Sequence, residues 1–172
     1  MVTYKNMHQA ILECKKGSVY YWYTNIDFAK RTVFLLHGLT ANHAMFDKQI
    51  EFLSDKYNVI VWDAPALGGY IAQSFISRYP EMVSDYGKAD LCHLMGIGYA
   101  GLLDDNKELQ IHCPLLLLVG EKDNTGKVKQ YNKEWSKRTG IDITWIPNAA
   151  HNSNVDNPNF VNHCIEEFLV GL

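Results

Sequence analysis

The sequence predicts an α/β fold, and three observations carry that prediction. Short continuous apolar runs, "RTVFLLHG" (31–38), "YNVIVWDAP" (57–65) and "CPLLLLVGEKD" (113–123), each end in turn residues. Runs of this kind suit strands covered on both faces, the pattern of a parallel sheet. Between the first two, "NHAMFDKQIEFLSDKY" places Phe46, Ile50 and Leu53 at i, i+4 and i+7, an apolar helix stripe. Strand, helix and strand in that order make a βαβ unit.

Composition agrees with one globular body. A chain of 172 residues is long enough to bury a real core, and 47% hydrophobic with 20% charged residues argues against disorder. No repeat, low-complexity tract or linker interrupts it, so a single domain over 1–172 is expected. The net charge of −3 gives no reason to expect nucleic acid or an anionic membrane as a partner. The opening "MVTYKNMHQAILECKKG" lacks the basic-then-apolar layout of a signal peptide. No apolar run approaches the ~18 residues of a membrane span. Cys14, Cys92, Cys113 and Cys164 are dispersed without a C-x-x-C pair, which suits buried thiols in a reducing cytoplasm.

Taken in order, residues 8–14 and 18–24 flank "KKG" and predict a hairpin with Gly17 in its turn. The βαβ unit follows over 31–65. "GGYIAQSFISR" (68–78) predicts a helix opened by two glycines and stopped near Pro80, and 84–106 has helical character despite four glycines. The run at 113–123 is a strand entering a polar loop, and "IDITWIPNAAH" (141–151) is another. Asn157 and Pro158 start a last helix whose apolar face is Phe160, Val161, Cys164, Ile165, Phe168 and Leu169.

Three loops at strand ends hold the suggestive chemistry, where open α/β sheets place their sites. In "LLHGLTANHAMF", His37 and Gly38 allow a tight turn that leaves the Leu39 N–H free to point at a ligand. "LLLVGEKDNTG" puts Asp123 just beyond a strand, and "IPNAAHNSNVDNP" puts His151 in a loop before the final helix. An acid followed in the chain by a late histidine suits a carboxylate that orients an imidazole base. Metal and nucleotide sites are not expected, and neither is a cofactor. Cys92-His93 and His112-Cys113 are adjacent pairs rather than ligand-spaced clusters, and "GIGYAG" does not follow a strand.

"FLLHGLTANHAMFDKQIEFLSDKYNVIVWDAPA", "LGGYIAQSFISRYPEMV", "CPLLLLVGEKD" and "IPNAAHNSNVDNPNFVNHCIEEFL" together resemble the small esterase-like and lipase-like members of the α/β-hydrolase superfamily. They occur in the family's order. The resemblance implies a three-layer α/β/α fold with a mostly parallel central sheet. It also implies a Ser-His-Asp triad and hydrolysis of small-molecule esters or related acyl bonds. By position Asp123 would be the acid, His151 the base, and Leu39 and Leu67 the oxyanion-hole donors, with His37, Gly38 and Gly68 as supporting turns.

One family landmark is not met. The nucleophile elbow G-x-S-x-G precedes a helix that commonly opens "GG-aromatic-x-A", which "LGGYIAQ" matches. Counting back from Gly68, Leu67 follows the nucleophile position and Ala66 occupies it. "WDAPA" resembles an earlier strand of the family, so two landmarks about one βα unit (~30 residues) apart stand side by side. Ser74 lies eight residues into the helix, about 12 Å along its axis, and cannot replace the elbow serine. A strand expected after the elbow helix is also missing. The chain is therefore expected to carry internal deletions near 66/67 and 83/84, to be short of about two central strands, and to lack esterase activity as it stands. The alternative is a non-catalytic binding or interaction protein of the same fold. Losing two central strands would open a gap of about 14 Å in the sheet and leave edges prone to self-association.

Overall fold

A computed structural model describes residues 7–14, 17–38, 41–63 and 113–172. Strands β1 (Met7–Cys14) and β2 (Gly17–Thr24) form an antiparallel hairpin. Gly17 pairs with Cys14 as the first residue of β2 and is not in the turn itself, which corrects the expected placement. β3 (Thr32–Leu35) is followed by a 3-10 turn (His43–Phe46), α1 (Asp47–Leu53) and β4 (Asn58–Asp63). β3 and β4 run parallel with Val33 beside Val59 and Leu35 beside Val61, so the expected βαβ unit is present. β5 (Leu117–Gly120) leads to α2 (Val128–Thr139), β6 (Ile143–Ile146), the short α3 (Ser153–Asp156) and α4 (Pro158–Val170).

The strands divide into two sheets among the described residues. One has the order β1-β2-β4-β3, with two antiparallel pairs and one parallel pair; the other is the parallel pair β5-β6. The mostly parallel character expected of the sheet holds for the α/β half, and the hairpin adds antiparallel strands at one side. Among the described residues β3 and β5 are not paired with each other.

Side chains from both halves nevertheless share one core. Val33, Leu35, Val59 and Val61 pack with Ile50 and Leu53 of α1, Leu118 of β5, Ile146 of β6, and Val161, Ile165 and Leu169 of α4. Each such side chain taken fully out of water contributes about 1.5–3 kcal/mol, so α1 and α4 help hold the two halves together. Phe46, Ile50 and Leu53 are all buried, as the stripe predicts.

α4 starts as its sequence dictates. The Asn157 side chain accepts the Phe160 N–H and Pro158 occupies the first turn. Phe160, however, is exposed, a correction to the expected apolar face: Val161, Ile165 and Leu169 form the buried stripe, with Cys164 and Phe168 beside it. α2 has no counterpart in the sequence reading. Only Val128 and Asn132 are buried in it, too thin a stripe to show as a helical period, and Gly140 ends it in a left-handed conformation at φ 74°.

Candidate active site at the strand ends

β5, β6, β3 and β4 deliver their carboxyl ends to loops that carry Asp123, His151, His37 and Asp63. After β5 the chain turns at once, and the Asp123 N–H donates to the Gly120 carbonyl at 3.1 Å. The turn is clasped to the loop after β6: the Glu121 N–H donates to Ile146 O at 3.1 Å and the Lys122 N–H to Ala149 O at 2.8 Å. Gly120 makes this approach possible, since a Cβ there would lie 2.1 Å from Ala150 O and 2.6 Å from Ala149 O. The loop after β6 has its own fastenings. Asn148 adopts φ 60°, which asparagine tolerates better than most residues; the Ala150 N–H donates to Asp156 Oδ2 at 2.7 Å; and Asn157 Nδ2 donates to Pro147 O at 3.0 Å.

These two loops bring Asp123 and His151 together. His151 Nδ1 lies 2.9 Å from Asp123 Oδ2, while Asp123 Oδ1 accepts the Thr125 N–H at 2.8 Å. The Asp123 side chain is 2% exposed and that of His151 25%. Burial pushes the Asp123 carboxyl up, but the His151 and Thr125 hydrogen bonds and the His151 charge together outweigh burial and hold it below its ordinary value. An ionised carboxylate only accepts, so His151 Nδ1 carries the proton of this bond, and in the neutral imidazole Nε2 is left with the lone pair. That is the tautomer a general base needs.

The turn after β3 differs from expectation in its cause. His37 is buried and donates its Nδ1–H to the Gly38 carbonyl at 2.8 Å. Gly38 adopts no left-handed φ, and a Cβ there would meet nothing within 4 Å. The expected need for glycine to turn the chain tightly is therefore not met at Gly38; the close approach that does require glycine is at Gly120. Leu39, Ala66, Leu67 and Gly68, and the junctions near 66/67 and 83/84, lie outside the described residues.

No protein-family model and no curated protein matches the chain. Solved structures do. Carboxylesterase CesB (YbfK) from Bacillus subtilis superposes with a TM-score of 0.71 at 16% identity, covering 98% of this chain and 93% of that one. A predicted CIB-like hydrolase from Thermoplasma acidophilum gives 0.67 at 19%, covering 96% and 99%. An α/β hydrolase from Novosphingobium aromaticivorans gives 0.65 at 13%, covering 97% and 99%. This chain has the α/β-hydrolase fold.

Within that α/β-hydrolase fold the sequence reading missed a second histidine–aspartate pair. His43 Nδ1 lies 2.8 Å from both Asp63 oxygens, and the His43 N–H donates to Asp63 Oδ1 at 2.7 Å. The imidazole stacks on Trp22, with ring centroids 3.7 Å apart. No sequence signal marked the pair: Asp63 is the last residue of β4, and His43 lies eight residues past the end of β3. The pair fastens the 3-10 turn that follows the His37-Gly38 segment to the end of β4. Among the described residues no group of three or more His, Cys, Asp or Glu could hold a metal, and no helix is long and apolar enough to cross a membrane.

Proposed function

We propose that this site is the acid–base half of an ester-hydrolysing centre acting on small molecules, with His151 as base and Asp123 as the group that orients it. The observation that carries this reading is the 2.9 Å contact between His151 Nδ1 and the buried Asp123 carboxylate at neighbouring strand ends. In a complete centre His151 Nε2 would take the proton of a serine hydroxyl as its oxygen attacks the acyl carbon. His151 would then return that proton to the leaving alkoxide, and water would release the acid by the same steps in reverse. The Leu39 and Leu67 N–H groups are proposed as the oxyanion donors, with His37, Gly38 and Gly68 supporting their turns; losing one such donor typically costs about 3 kcal/mol in the transition state.

In this chain Ala66 stands at the nucleophile position, and the proposal is that the chain forms no acyl-enzyme. Internal deletions near 66/67 and 83/84 are proposed with it, on the side-by-side placement of "WDAPA" and "LGGYIAQ" in the sequence. Ala66 equally favours a second reading, a non-catalytic protein that binds ester-like small molecules or associates with itself through sheet edges. Cytoplasmic placement is proposed with it, in keeping with the free thiols Cys113 and Cys164.

A fluorophosphonate probe and a short-chain ester assay on the purified chain test the proposal. No labelling and no turnover above buffer are expected. Covalent labelling that heat denaturation abolishes would overturn the assigned inactivity. An Nε2–H tautomer at His151 would overturn the assignment of base and acid.

A further inference from the structure

Gln49, Asn154 and Asn162 are amides on three different helices, each at least nine-tenths buried. Their donors and acceptors interlock. Gln49 Nε2 donates to Asn162 Oδ1 at 2.9 Å and to the Asn154 carbonyl at 3.2 Å; Asn154 Nδ2 donates to Gln49 Oε1 at 3.2 Å and to the Met45 carbonyl at 2.8 Å. Asn162 Nδ2 completes the cluster on the Lys48 carbonyl at 3.1 Å. Both neighbours of Asn154 Nδ2 are acceptors, which fixes the orientation of that amide. Among the described residues its Oδ1 is buried with no hydrogen-bond partner.

The cluster joins the segment after β3 to the helices that follow β6. On one side are Met45, Lys48 and Gln49, in the 3-10 turn and α1 that follow the His37-Gly38 segment. On the other is Asn154, three residues after His151 in α3. α3 is itself tied back to the His151 loop, because Asp156 Oδ2 accepts the Ala150 N–H. A shift of α3 against α1 therefore moves His151 relative to the His37-Gly38 turn.

We propose that Gln49, Asn154 and Asn162 are positioning residues whose buried amide cluster sets the place of the His151 loop against the segment that follows the His37-Gly38 turn. The proposal rests on the reading of His151 as the base, and its test separates the two. The readout is the His151 ring Nδ1–H, followed by nitrogen-15 NMR for tautomer and for exchange with solvent, in the wild-type chain and in single variants. Asn154→Leu is expected to speed exchange of that proton by about ten-fold or more, a local opening rather than global unfolding. Val161→Ala, which removes buried methyl groups from the same core without touching the cluster, is expected to leave it within about two-fold at matched stability. Gln49→Met and Asn162→Leu extend the comparison if Asn154→Leu does not fold. An Nε2–H tautomer in the wild-type chain sinks the function and leaves the cluster without a base to position. An Nδ1–H tautomer that the folded cluster variants exchange no faster than Val161→Ala overturns the positioning role alone.

Discussion

Gly120→Ala is the sharpest probe of the site, because the structure states what one added methyl would strike. The new Cβ would stand 2.1 Å from Ala150 O, 2.6 Å from Ala149 O and 2.9 Å from Ala149 C, all backbone atoms that cannot rotate away. Real Cβ contacts do not fall below about 3.0 Å, so the loop after β6 must retreat by about 0.9 Å. The same shift along the His151–Asp123 line stretches that 2.9 Å contact to about 3.8 Å, outside hydrogen-bonding range. The Lys122 N–H bond to Ala149 O would be stretched with it. Losing a charge-assisted bond costs about 1.5–3 kcal/mol and a backbone bond about 1 kcal/mol, so a loss of roughly 3–4 kcal/mol is expected. Urea unfolding measures the stability change, and the His151 ring proton reports the contact. A variant within about 1 kcal/mol of wild type, with its ring proton unchanged, would refute the claim that Gly120 is required by the packing of these loops.

Asp123→Asn tests the carboxylate. The folded value of Asp123 is depressed, so its contribution is fully present above the unfolded value of about 3.9 and is lost as pH falls through the lower folded value. Urea unfolding followed from about pH 6 down to pH 2 should show a shallower acid limb in the variant; identical limbs would count against it. Asp63→Ala removes both acceptors of the His43 imidazole in a partly exposed pair and is expected to cost about 1 kcal/mol. It should also alter Trp22 emission, because His43 leaves the face of that ring, and an unchanged spectrum would contradict the stacking. Asn157→Ala removes the α4 cap and the bond to Pro147 O; a loss of about 1 kcal/mol is expected, with faster exchange at the Phe160 amide, read by hydrogen exchange.

Much of the described fold was legible because it is local. Continuous apolar runs marked β3, β4 and β5, the Phe46-Ile50-Leu53 stripe marked α1, and Asn157-Pro158 marked the start of α4. α2 escaped because a lysine-rich surface helix with two buried positions has no apolar period to find. The role of Gly120 escaped, since sequence shows where a glycine stands but not which backbone passes within 2.1 Å of it.

The amino-acid sequence by itself determined the α/β class, the order of the strand-end loops and the places of Asp123 and His151 in them, because strand and turn preferences and chain order are properties of neighbours. It also determined that Ala66, with no hydroxyl, stands where the resemblance places a nucleophile. Tertiary structure alone decided that Asp123 and His151 touch, that His43 pairs with Asp63, and that buried amides join α1 to α3 and α4. Those contacts join residues 20 to 113 positions apart, and only the packing of β3, β4, β5 and β6 on shared helices brings them within hydrogen-bonding distance.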